Sequence, residues 1–141
     1  MPTRNANAVW EGGLKGGKGS FRTQTGLGGS YSFGSRFESA AGSTPEELLA
    51  AAEAACFSMA LSGALEKNGT PPSKVETDAA CTVEKVGDGF KITTIKLSVR
   101  VKASGVEEGA FRKIAEATKE GCPVSGALKG NVKLDLDARL V

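Results

Sequence analysis

The chain contains no histidine. That excludes a Ser-His-Asp triad, a Cys-His protease pair and an imidazole metal site. Any chemistry must rest on Cys, Arg, Lys, Asp, Glu, Ser, Thr or Tyr. Cysteine is scarce: Cys56, Cys81 and Cys122 form an odd set, with no C-x-x-C pair. A secreted disulfide framework normally uses an even set in a shorter chain, and a zinc ribbon or thioredoxin-type motif needs the close pair. There is no excess charge of either sign. The 18 Lys and Arg face 16 Asp and Glu, for a net charge of +2, which argues against nucleic acid as the partner because little is left over to neutralise phosphates. Runs approaching 18 consecutive apolar residues are missing, and the Met1–Asn7 segment lacks a signal-peptide core. The expectation is a cytoplasmic protein that is not membrane-bound. Repeats and low-complexity linkers are absent as well.

What remains is ordinary globular composition: 141 residues, 40% hydrophobic and 24% charged. That suits a single domain spanning residues 1–141 with a core of its own. The first 42 residues alternate in short stretches, Ala8–Glu11, Gly19–Thr23 and Ser30–Phe33. Gly12-Gly13 and Gly26–Gly29 punctuate them. This predicts an antiparallel meander, with Tyr31 to Glu38 running into a loop at Ser39–Ser43. Thr44-Pro45-Glu46-Glu47 then announces a helix, with Thr44 as N-cap, Pro45 at its first position and Glu47 closing a capping box. Asn68-Gly69 and Pro71-Pro72 stop it near Lys67. Its interior is rich in small residues, seven alanines and Gly63, with Leu49, Ala52, Cys56, Met59 and Gly63 on one stripe. So thin a helix, with Gly63 costing about 1 kcal/mol against Ala, predicts a close neighbour, either in the core or in a dimer.

Lys74–Val86 alternates, with Val75, Thr77, Ala79, Cys81 and Val83 on one face, and turns at Gly87–Gly89. On the return strand Phe90 and Ile92 are out of phase with Ile95, Leu97, Val99 and Val101, which predicts a bulge near Thr93-Thr94. A helix over Glu107–Glu120, a short helix opened by Cys122-Pro123 and a strand over Val132–Leu140 complete an α+β chain. Antiparallel sheets are expected at both ends, around a long central helix.

The three cysteines sort by context. Cys81 shares a strand face with Val75 and Val83 and reads as a small core residue. Cys122 lies at the N-cap of the short helix, where orphan amides and the helix dipole favour a thiolate, although a cap cysteine without chemistry fits as well. Cys56 is mid-helix among apolar neighbours. It is inert core unless a cation from elsewhere supports its thiolate.

Residues 44–60, TPEELLAAAEAACFSMA, resemble the first cysteine motif of the OsmC/Ohr family of organic hydroperoxide reductases. Gly121-Cys122-Pro123-Val124-Ser125 resembles the second, and the order of elements is similar along nearly the whole chain. The resemblance implies an intertwined homodimer and a thiol peroxidase active in oxidative and osmotic stress defence. Cys56 matches the peroxidatic cysteine and Cys122 the resolving one. Arg36, in the Arg36-Phe37-Glu38 segment typical of the OsmC branch, matches the arginine that pairs with the thiolate. Glu46, ten residues before Cys56, matches the glutamate that holds this arginine, Glu47 being committed to the capping box. An arginine suits this place, because it stays charged when buried and can bond both sulfur and a peroxide oxygen. The implied partners are a small hydroperoxide and a dithiol reductant, of lipoyl type in the family, with no metal or bound cofactor. Two other readings compete: a redox switch or sensor using the same disulfide without turnover, and a binding domain whose cysteines only pack.

Overall fold

The computed structural model describes residues 1–141. The chain divides into two compact units, Met1–Pro45 and Glu46–Val141.

In the first unit, β1 (Ala6–Glu11), β2 (Lys18–Thr23) and β3 (Gly28–Tyr31) form the expected antiparallel meander. Trp10 and Phe21 each stack on Tyr31, with ring centroids 5.5 and 6.4 Å away. Gly19 makes room for this cluster, since a Cβ there would meet the Tyr31 and Trp10 rings at 2.6–2.7 Å. The stretch from Tyr31 to Glu38, where no helix is expected from sequence, differs. Phe33–Phe37 is a short helix, α1, because Ser32 and Ser35 close a reciprocal capping box at 3.0 and 2.9 Å.

The second unit starts one residue into α2 (Pro45–Lys67). Then come β4 (Pro72–Val86), β5 (Gly89–Ala103), α3 (Glu108–Gly121), α4 (Pro123–Leu128) and β6 (Lys133–Leu140). The β4–β5 turn uses Gly87 at φ +61°, a conformation that suits glycine in a tight hairpin. The bulge falls where the phase change predicted it. Thr82 pairs with Thr94 and Val83 with Ile92, leaving Thr93 unpaired. The second sheet has the order β4-β5-β6 and is mixed, because β6 runs parallel to β5. The antiparallel expectation for this end is thereby corrected: α3 and α4 form a crossover that returns the chain to the same end of the sheet.

The register lines up apolar rows across this sheet. Cys81, Ile95 and Leu134 form one, Ala79, Leu97 and Leu136 the next, and Val75, Val101 and Leu140 a third. Phe57, Leu61 and Leu65 of α2 and Phe111 and Ala115 of α3 join β5 in the core. Each of the large side chains contributes about 1.5–3 kcal/mol by leaving water. The α2 stripe is therefore not the one expected. Its buried line is Glu46, Glu53, Phe57, Leu61 and Leu65, whereas Ala52 and Met59 are exposed. Gly63 has no heavy atom within 4 Å of where its Cβ would lie, so no core neighbour presses on it. Alanines on every side give the helix almost no polar–apolar contrast from which to read its orientation. At 23 residues α2 is long and apolar enough to cross a bilayer, yet the Phe57 line packs on β5 as in a core helix.

Candidate functional site

Two of the four expected site residues meet in the second unit. Cys56, midway along α2, and Cys122, at the start of α4, have Sγ atoms 2.6 Å apart. Three local features bring this about. Phe57 next to Cys56 is fully buried and fixes the rotation of α2. Ser58 ties the same turn to β4, its hydroxyl lying 2.7 Å from that of Thr77 and donating to the Ala54 carbonyl at 2.8 Å. On the other side α3 ends at Gly121, and Pro123 at the first position of α4 starts a new helix, so the chain turns at Cys122. Cys122 is 1% exposed, whereas Cys56 is partly exposed. That separation is about 0.6 Å longer than a disulfide's S–S bond.

Cys122 is the N-cap of α4, as expected, but its side chain makes no capping hydrogen bond. The amide at that helix start serves the other sulfur: the backbone N–H of Val124 donates to Cys56. Burial pushes the Cys56 thiol up from its ordinary range. The hydrogen-bonded Cys122 and the nearby Glu53 add to this, and the Val124 N–H pulls the other way.

Arg36 sits on α1 in the first unit, its guanidinium 5.0 Å from the Phe37 ring centroid. Glu46 lies in the first turn of α2 and is 5% exposed. Cys81 is partly buried on the apolar face of β4, as expected, with its thiol pushed up by burial and by the Glu46 charge. A groove of about 590 Å³ runs between α2 and α3 and reaches Cys122. Its lining is mixed, with Ala60, Ala64, Ile114 and Ala117 beside Lys67, Asn68 and Thr118.

Sequence reasoning missed Glu53. It is fully buried, and its Oε1 accepts a hydrogen bond from the Ser125 hydroxyl at 2.5 Å, while its Oε2 is buried without a partner. A signal existed: Glu53 stands four residues before Phe57, in phase with Leu61 and Leu65, so the charge lies on the apolar line.

Comparison with known proteins agrees with this architecture. A family model described as OsmC-like protein matches residues 38–137. The chain is 43% identical over 134 residues to Peroxiredoxin OsmC of Escherichia coli strain K12, covering 94% of each chain. It is 32% identical over 103 residues to organic hydroperoxide resistance protein OhrB of Bacillus subtilis strain 168, covering 72% of this chain and 74% of that one. The crystal structure of the Bacillus subtilis OhrB matches with a TM-score of 0.71 at 25% identity, over 96% of this chain and 98% of that one. The OsmC-like protein of Mycoplasma pneumoniae shares the fold alone, with a TM-score of 0.77 at 14% identity over 99% and 98%.

Proposed function

This chain belongs to the OsmC-like protein family, and we propose that it is a cysteine-based peroxidase of oxidative and osmotic stress defence. Its substrates are organic hydroperoxides and, less readily, hydrogen peroxide. The observation that carries this reading is the 2.6 Å separation of the Cys56 and Cys122 sulfurs. The names of the relatives, a peroxiredoxin and an organic hydroperoxide resistance protein, support a peroxidase-type role.

The chemistry runs in three steps. The Cys56 thiolate attacks the outer peroxide oxygen, the O–O bond breaks, and the departing alkoxide takes up a proton to leave as alcohol. Cys56 is then a sulfenic acid. The Cys122 sulfur attacks that sulfenic sulfur, expelling water and forming the Cys56–Cys122 disulfide. An external dithiol, of lipoyl type by resemblance, gives up two electrons and two protons by thiol–disulfide exchange, becomes a disulfide itself and restores both thiols.

Burial opposes ionisation of Cys56, so the first step needs a cation. Arg36 fills that role in this proposal, held by Glu46, since a guanidinium taken out of water requires a counter-charge. The organic hydroperoxide in the name of the OhrB relative supports a preference for alkyl over hydrogen peroxide. The proposal also takes the two units as a single domain in the cytoplasm, paired with a second copy. The exposed apolar face of α2, including Ala51, Ala52, Ala55 and Met59, supports that pairing.

The test is steady-state consumption of an alkyl hydroperoxide and of hydrogen peroxide side by side, first with a dithiol donor and then with a monothiol. Sustained turnover is expected with the dithiol, faster on the alkyl substrate. One stoichiometric oxidation followed by arrest would replace the enzyme with a redox switch. Three protected thiols that ignore peroxide would leave only packing residues.

A further inference from the structure

Besides the Val124 N–H on Cys56, two side-chain contacts join α2 to α4, and they are parallel. Cys56 meets Cys122 at 2.6 Å, and Glu53 meets Ser125 at 2.5 Å. Glu53 lies three residues before Cys56, one turn along the same face of α2. Ser125 lies three residues after Cys122, one turn into α4. Glu53 is 0% and Ser125 2% exposed, so water does not compete for either group.

α4 is only six residues long, too short to hold itself by helix propagation. At the reacting end its other links to α2, the sulfur contact and the Val124 N–H, both end on Cys56, and in the reduced state no covalent bond joins the sulfurs. Contacts that share one sulfur leave a short helix free to pivot about it; the Glu53–Ser125 bond, one turn away, removes that freedom.

We propose that Glu53 and Ser125 are positioning residues, whose hydrogen bond holds α4 in register so that Cys122 stays aimed at Cys56 before the disulfide exists. This rests on reading Cys56 and Cys122 as the redox pair. The step it serves is Cys56–SOH plus Cys122–SH giving Cys56–S–S–Cys122 and water, in which the Cys122 thiol proton leaves with the sulfenic hydroxyl.

A purely structural role fits Glu53 poorly. Its Oε2 is buried with no partner, and a carboxyl in that condition costs stability. Removing both members of such a polar pair in favour of apolar groups is often neutral or stabilising. Stability and sulfur alignment are therefore expected to separate on substitution, which allows a direct test.

The measurement is the effective concentration of the Cys56–Cys122 pair in glutathione redox buffers, read by thiol trapping and mass spectrometry, with Tm recorded for each protein. It needs no peroxide. Ser125→Ala and Glu53→Ala should each lower the effective concentration about tenfold, equivalent to about 30 mV. Glu53→Gln keeps a carbonyl acceptor for Ser125 and should stay within about threefold of the parent. The double variant Glu53→Leu/Ser125→Ala should show the full loss while its Tm holds or rises. After a peroxide pulse, the Ala variants should carry more sulfinic acid at Cys56 because closure is slow.

Effective concentrations unchanged within about twofold across the set would overturn the proposal. So would losses that track Tm and are not rescued by Glu53→Gln. A parent protein that closes its disulfide in glutathione but does not turn over peroxide would instead remove the peroxidase reading, and the positioning role would stand on the redox-buffer result.

Discussion

The backbone N–H of Val124 donates to the sulfur of Cys56, although Val124 lies two residues beyond the other cysteine of the pair. Pro123 has no amide to offer, so Val124 supplies the donor nearest the start of α4. The start of α4 thus supports the sulfur on α2 rather than its own cap residue.

That support does not offset burial, and the Cys56 thiol remains raised from its ordinary range, as does that of Cys81. A raised thiol makes the folded state hold its proton longer than the unfolded chain does. Well below about pH 8.5 both states are protonated and the contribution to stability is fully present. As pH climbs, the unfolded chain ionises first, binds fewer protons than the folded state, and stability falls. The Tm of the reduced protein should therefore decline between about pH 8 and pH 10. Cys56→Ser and Cys81→Ser should each make that decline shallower. The oxidised protein should also decline less, since a disulfide has no thiol proton to lose. Identical slopes in all four would contradict the burial effect.

Substituting each cysteine separates their roles. Cys56→Ser should abolish peroxide turnover. Cys122→Ser should permit one oxidation, stall recycling and let Cys56 proceed to sulfinic acid, seen as a gain of two oxygens by mass spectrometry. Cys81→Ser should leave turnover at the parent rate, since its sulfur packs on the sheet face beside Ile95. A requirement for Cys81 would mean that the cysteines have been assigned wrongly.

The distance between these expectations and what the fold displays follows from what each residue pattern encodes. Thr93 was legible as a bulge because a phase slip in a two-residue period marks where an extra residue must sit. The Cys122-Pro123 helix start was legible from local backbone chemistry. The direction of β6 was not, because alternation is the same for parallel and antiparallel strands. α1 was hidden because its capping box uses two serines among other small polar residues, which read equally well as loop. The buried line of α2 was missed for want of contrast, and Glu53 with it, because a carboxylate mid-helix ordinarily faces water. The four candidate site residues came from motif resemblance. Their spacing alone left Cys56 and Cys122 each with an inert alternative, and only folding reveals that two sulfurs 66 positions apart are neighbours.

Arg36→Lys tests whether the cation must be a guanidinium. Lysine keeps the charge but cannot bond sulfur and peroxide oxygen together from one planar group. Turnover should fall at least about tenfold, or ~1.4 kcal/mol of barrier, while Tm shifts little. A variant as active as the parent would mean that Arg36 is not the thiolate's partner.

Leu61 and Met59 lie two positions apart on α2 and probe opposite faces. Leu61 is fully buried in the core and Met59 is 81% exposed. Leu61→Ala should cost about 2–5 kcal/mol of stability by leaving a cavity, measured by urea unfolding. Met59→Glu should leave the single chain folded, since no core contact is lost. If a second copy covers this face, the added carboxylate would be taken out of water without a partner, which is strongly unfavourable. The parent should therefore sediment as a dimer of the 14.4 kDa chain, and Met59→Glu as a monomer with its helical circular dichroism intact. A parent that sediments at 14.4 kDa would remove the dimer from the proposal. A Met59→Glu protein that stays dimeric would move the interface off this face of α2.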